Sequence, residues 1–228
     1  MKPLFFIATV LFAQVSFGQL NFTNSNFLQD GMGQPLFEKA HINIEGSPMY
    51  PRKWCTATIV MPGNKAYSNV SLRYDWERRI WFFPGKEADT ELEIIGIPEK
   101  VEFDKNCDGF KELSGILKSG YPAIDKNDKN TFYIVLAEGK ASLLKSYKIK
   151  ATDSKPYGSA SVIRTYTRQE SYYIFKEGQM LSLQKNNDAF IELLKDQQEQ
   201  LRSYMTQKKK NVKQEKDMLE LVQYYNQL

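Results

Sequence analysis

WCTATIVM, PGNK, AYSNVSLRYD, WERR, IWFF: residues 54–83 read as strand, turn, strand, turn, strand. Thr56, Thr58, Ile59 and Val60 make the first run dense in β-branched residues, which suit a pleated, half-buried surface. Pro62-Gly63-Asn64-Lys65 is a turn whose Gly and Asn tolerate positive φ. In the second run Tyr67, Asn69, Ser71, Arg73 and Asp75 fall on one face, and Val70, Leu72, Tyr74 and Trp76 on the other. That alternation predicts a strand with one face buried. The third run, residues 80–83, is apolar throughout and stops at Pro84-Gly85. Three antiparallel strands in thirty residues make the chain β-rich before anything else is read.

On the N-terminal side, His41-Ile42-Asn43-Ile44 alternates as a short strand and Gly46-Ser47-Pro48 turns the chain. Residues 20–33, Asn-rich and aromatic, fit an extended arm or a first edge strand. The first eighteen residues read differently. Met1-Lys2 is followed by an apolar run over 4–15, broken only by Thr9 and Gln14, and by Ser16-Phe17-Gly18, a small-x-small pattern. This predicts a cleaved secretory signal peptide over 1–18, hence an exported protein, periplasmic or secreted. No later run reaches the roughly 20 apolar residues of a spanning helix, so no transmembrane anchor is expected after signal cleavage.

Toward the C-terminus, strands are expected around 92–97, at 100–103, at 110–113, and at 131–137 and 141–149 on either side of Glu138-Gly139-Lys140. Three more fall at 162–167, 171–175 and 180–183. The period then changes. Phe190, Leu193, Leu194, Leu201, Tyr204 and Met205 share one helix face, with Asn187 as N-cap and Asp188 in the first turn. A second helix is expected from Asn211, with Gln214 three residues on and Met218, Leu221, Val222 and Tyr225 as its apolar face. Lys208-Lys209-Lys210 between them suits a helix C-terminus. The expected fold is α+β: a mainly antiparallel sheet, bent or closed into an incomplete barrel, over 19–183, with a two-helix hairpin over 184–228 packed on it.

Composition removes several function classes. Of 228 residues, 42% are hydrophobic and 25% charged, which implies a packed core, and the net charge of +4 is spread along the chain. Nucleic-acid binding, which needs a clustered basic face, is not expected. His41 is the single histidine, so no multi-histidine metal site can be built and a Ser-His-Asp triad would have to use it; Cys55, the candidate nucleophile with His41 as base, lies mid-strand where thiols are usually inert. Nucleotide-binding glycine motifs and a Gly-x-Ser-x-Gly elbow are missing, no spacing selects a carboxylate pair, and no cofactor or catalytic residue is assigned.

Three features carry candidate sites. Asp104-Lys105-Asn106-Cys107-Asp108-Gly109 matches the first half of a calcium loop, making Asp104, Asn106 and Asp108 candidate ligands; Gly115 stands where the bidentate Glu belongs, and the flanks read as strands. A strand-to-strand turn explains the same residues. Cys55 and Cys107 pair as a disulfide or remain two buried thiols. The face Val70, Leu72, Tyr74 and Trp76, with Trp81, either fills a core or lines an open cavity that binds a ligand. Trp76 and Trp81, five apart across a tight turn, are expected on opposite faces.

Gly46-Ser47-Pro48, the run Asn69-Val70-Ser71-Leu72-Arg73-Tyr74-Asp75 and the closing Leu221-Val222-Gln223-Tyr224-Tyr225-Asn226 resemble a group of uncharacterised exported β-rich proteins of the Bacteroidota. The resemblance implies localisation and contributes no activity. The expected function is therefore non-enzymatic, an exported interaction or scaffold protein with another envelope protein as partner. The alternative is a carrier of lipid or another apolar ligand in a concave sheet, and a third reading is a hydrolase with carboxylate chemistry.

Overall fold

The computed structural model describes residues 42–87, 90–107, 115–157 and 161–228. The expected signal peptide, the arm at 20–33, His41, the strand at 110–113 and Asp108 lie outside the described residues.

Among the described residues, eleven strands form one curled sheet, a half-barrel. They are β1 (Ile42–Glu45), β2 (Met49–Met61), β3 (Lys65–Asp75), β4 (Ile80–Pro84), β5 (Glu91–Glu93), β6 (Lys100–Phe103), β7 (Ile116–Lys118), β8 (Tyr133–Ala137), β9 (Ala141–Ser154), β10 (Val162–Lys176) and β11 (Gln179–Leu183). The order across the sheet is β1-β10-β9-β8-β7-β6-β2-β3-β4-β5, with β11 also on β10. All pairings are antiparallel except the first. β1 runs parallel to β10, Ile42 opposite Val162, so the sheet is mixed rather than purely antiparallel. β1 and β11 share the same edge of β10, one on each half of that long strand. Gly46 ends β1 at φ +81, and a Cβ there would stand 2.6 Å from the Tyr166 carbonyl oxygen, so only glycine lets the chain leave so close to β10.

The stretch that identified the sheet folds as its alternation predicts from Val70 onward. Leu72, Tyr74 and Trp76 are buried on the inner face. Nearer the hairpin tip the expectation fails. Val70 sits opposite Ala57 but Tyr67 opposite Ile59, a bulge with Asn69 at φ 57. The extra residue shifts Tyr67 onto the face of Val70. Asp75 is buried despite its place on the polar face, because its Oδ1 accepts from the N–H groups of Glu77 at 2.8 Å and Arg78 at 2.9 Å and builds the β3–β4 turn. β10 is one strand rather than two: Arg168, Gln169 and Glu170 are polar because they are exposed, yet they pair with Ile149, Lys148 and Tyr147.

The hairpin of two helices is in fact three short helices: α1 (Asn187–Leu193), α2 (Gln198–Lys208) and α3 (Glu215–Tyr225), with a 3-10 turn at Lys195–Gln197. The expected single first helix breaks at Leu194, whose backbone is non-helical. The break preserves the face, since Phe190, Leu194 and Leu201 all stay fully buried, and it sets Asp196 between Lys176 at 2.6 Å and the Tyr225 hydroxyl at 2.7 Å. Asn186, not Asn187, is the N-cap of α1. Asn187 instead accepts from the Val212 N–H at 3.1 Å and ties α1 to the α2–α3 link. α3 starts at Glu215, not Asn211, whose side chain accepts from Lys213 N–H in a turn ahead of the helix. The last turn of α2 carries Lys208, as expected.

Two clusters fill the inner face. Leu72, Tyr74, Trp81, Val101, Phe103, Leu117, Phe132 and Ile134 pack across β2–β4 and β6–β8. The helices bury Leu143, Tyr172 and Ile174 under Phe190, Leu201, Met218, Leu221 and Val222. On the other face the loop 119–130 covers Tyr133, Val135, Leu144 and Tyr173. Covered on both sides, β9 is buried from Ala141 to Tyr147; beyond that it is mostly exposed. Among the described residues no helix is long and apolar enough to cross a membrane.

Candidate functional site

A cleft of about 470 Å³ opens where β9 leaves the shelter of the sheet. Four consecutive β9 residues line it, Ser146, Tyr147, Lys148 and Ile149, together with the alternate β10 residues Gln169, Ser171 and Tyr173. Successive side chains of a strand point to opposite faces. A cavity lined by consecutive residues therefore meets the strand's edge, and the alternate β10 residues show that it wraps onto one face.

The opposite wall comes from two turns. The β3–β4 turn contributes Trp76, Glu77 and Arg79, and the loop after β7 contributes Asp125, Lys126, Asn127 and Thr131. Arg79 joins them: from φ 60 its guanidinium donates to Thr131 Oγ1 at 3.2 Å and to Asn127 Oδ1 at 3.4 Å. The loop is itself held by Asp128, which accepts from the Asn130 N–H and the Thr131 hydroxyl. Burial opposes its ionisation, but Thr131, Asn130 and Arg79 together hold the Asp128 carboxyl below its usual range. Asn127 Nδ2 donates to the Tyr173 hydroxyl at 3.2 Å, and that hydroxyl donates to Asp125 Oδ2 at 3.3 Å. Burial, then the Asp125 carboxylate, push the Tyr173 phenol up, so it stays a neutral donor.

The floor is aromatic. Trp76 meets Tyr147 edge-on at 5.0 Å, Tyr147 meets Tyr50 at 5.4 Å, and the Arg168 guanidinium lies 4.6 Å from the Tyr147 ring centre. Trp81 lines a smaller cavity of about 230 Å³ on the far side of Arg79. Trp76 and Trp81 are not on opposite faces, since both rings pack against Tyr74, at 5.0 and 4.6 Å. The β3–β4 turn folds both indoles inward. Of the five candidate ligand-binding residues, Tyr74 and Trp76 line the cleft and Trp81 the smaller cavity, while Leu72 is fully buried and Val70 half-buried against the same core. Trp54 is separate, under the Arg73 guanidinium at 4.3 Å.

Cys55 and Cys107 form a disulfide with Cα atoms 5.5 Å apart. Asp104 and Asn106 are exposed, and Asp104 serves the bridge: its N–H donates to the Thr56 carbonyl and its carbonyl accepts from Cys107 N–H at 3.0 Å. The turn residues that matched half a calcium loop thus present Cys107 to β2. Among the described residues no three His, Cys, Asp or Glu side chains converge as a metal site.

Arg79, Asn127, Tyr173 and Lys148 were not singled out by sequence reasoning. Residues 119–130 carry turn chemistry, but nothing in them signals that the loop folds back over β10. No family model, curated protein or solved structure matches the chain.

Proposed function

We propose that this chain is an exported, non-enzymatic interaction protein that receives a segment of another envelope protein at the β9 cleft. One observation carries the reading. The inner face of the curl is filled by side chains, with Leu72, Leu117, Ile134, Leu143 and Ile174 fully buried. The larger opening lies instead at the rim and is walled by hydroxyl, amide and charged groups. A carrier of apolar ligands needs an enclosed apolar cavity; an open polar cleft over a rigid aromatic floor suits recognition of a polar, extended partner. The Cys55–Cys107 bridge fits an oxidising compartment.

The test places a photo-crosslinking amino acid at Gln169, in the cleft, or at Lys213, beyond it on the α2–α3 link, in cells that make the protein. A discrete adduct from Gln169 and none from Lys213 is expected. Native mass spectrometry of the purified chain should show the bare mass. Stoichiometric co-purified lipid, or equal labelling from both positions, would sink the proposal in favour of the carrier.

A further inference from the structure

β9 is paired unevenly. Against β10 its register runs without a shift from Ala141 opposite Lys176 to Ser154 opposite Ile163. Against β8 it stops at Lys145 opposite Ile134. Among the described residues, 146–154 therefore have a bare edge, regular and free of proline, along which half the backbone N–H and C=O groups point away from β10. Exposed edges of this kind are templates for another strand. The cleft begins at the start of this edge, in line with β8.

Charge selects the occupant. Lys148 and Lys150 are both exposed, stand on the same face two residues apart, and form no ion pair among the described residues; Gln169 and Thr167 lie opposite them on β10. On the other face are Tyr147 and the half-buried Ile149. A second copy of this chain is a poor fit. Antiparallel self-pairing about residues 149 or 150 sets lysine against lysine, and like charges directly opposite are destabilising.

Resting on the reading above, we infer that the residue 146–154 edge of β9 accepts an extended segment of a partner protein as an added strand, one with carboxylates at alternate positions facing Lys148 and Lys150 and apolar residues between them over Ile149. Backbone hydrogen bonds supply the affinity and the alternate side chains the choice of sequence.

The experiment uses the full mature chain and a short labelled peptide alternating Glu and Val. Fluorescence anisotropy is expected to show binding that the Lys-Val peptide lacks. Two further peptides carry N-methyl groups on alternate amides, in one phase or the other. Only one phase points its amides at β9, so one should lose about tenfold or more and the other little. In the exposed double variant Lys148→Glu with Lys150→Glu, the Glu-Val peptide should weaken about tenfold and the Lys-Val peptide gain. Amide exchange should slow within 146–154 when peptide is added. Equal affinity for both methylated peptides overturns strand addition. So does protection, without peptide, of those 146–154 amides that point away from β10, which means the chain already fills its own edge, and so does a dimer in sedimentation. If Gln169 still crosslinks a partner while the methylation phases are equal, the interaction protein stands and only its mode of binding falls.

Discussion

The filled interior of the curl and the rim at the outer half of β9 are built from the same kind of strand, yet they differ in everything around it. Inside, Leu143 and Leu144 are fully buried, flanked by β8 and β10, with helices on one face and the 119–130 loop on the other. Outside, among the described residues, 150–154 pair with β10 alone and are exposed. The strand's backbone is continuous across the boundary, so its cost of ordering is similar on both sides while the return from burial is not. The rim is held by the interior.

The largest effect expected from breaking the interior is loss of the Cys55–Cys107 bridge, which links residues 52 apart in sequence and joins β2 to the end of the β6 turn. Replacing both cysteines with Ala should cost about 4 kcal/mol in the chain-entropy view of such a loop. For a domain of this size that lowers Tm by about 10 °C. Calorimetry checks it; a Tm unchanged within error would mean the aromatic cluster holds β2 and β6 without the bridge.

A matched pair of substitutions in β9 sharpens the contrast. Leu143→Ala empties a site that is 0% exposed among Phe190, Leu221 and Val222, and should cost about 3 kcal/mol in urea unfolding. Lys150→Ala, seven residues along the same strand, should stay within about 0.5 kcal/mol. Similar costs at the two positions would show that the outer half of β9 is packed by something and is no free edge.

How much of this could be read from the sequence follows the same boundary. Where burial is one-sided, alternation is visible, and Leu72, Tyr74 and Trp76 were assigned to the inner face correctly. Where two layers cover a strand, as over residues 141–147, periodicity vanishes and only the hairpin around Gly139 located it. The parallel β1–β10 pair escaped because its partners are 120 residues apart and nothing local marks orientation. The helix break at Leu194 escaped because it keeps Phe190, Leu194 and Leu201 on one face, the only property that periodicity reports. The cleft was less legible still. Arg79 and Asn127 are turn residues by composition, and what makes them walls is the long-range contact between two turns.

The seam between helices and sheet is a smaller test. Asn226 Oδ1 accepts from Ala141 N–H at 2.8 Å, and its Nδ2 donates to the Ala141 carbonyl at 2.9 Å, so the end of α3 closes the β8–β9 hairpin. Asn226→Ala removes these two bonds and a longer one from Nδ2 to the Glu138 carbonyl at 3.4 Å, and should cost about 2 kcal/mol. At Gly139 a Cβ would stand 2.5 Å from the Asn226 side chain, so Gly139→Ala should destabilise too, but the double variant should lose less than the sum. Additive losses would mean that the two residues do not meet.

The smallest expected effect lies where interior passes into rim. Lys145 is 5% exposed and is held by Glu170 at 2.8 Å and Glu215 at 2.5 Å, while the Tyr172 hydroxyl lies within hydrogen-bond distance of both carboxylates and can donate its one proton to either. Burial alone would raise the Glu170 carboxyl, but the hydrogen bonds from Lys145 and Tyr172 bring it below its ordinary range. Its contribution is therefore complete above the unfolded carboxylate value of about 4.3 and disappears as pH falls through the lower folded value. Lys145 behaves oppositely. Burial pulls its ammonium down, the bonds to Glu170 and Glu215 outweigh that, and its raised folded value keeps its contribution intact below about pH 10.4, losing it only as pH rises further. The contribution of this pair should be flat between these limits. Glu170→Gln should lower the plateau by about 0.5 kcal/mol, small because the side chain is 40% exposed and water screens the pair. It should also make the fall below pH 4 shallower. An acid limb as steep in the variant as in the parent would remove Glu170 from the charges that hold Lys145, leaving Glu215 as the carboxylate that fastens α3 to β9 at the point where the strand loses its cover.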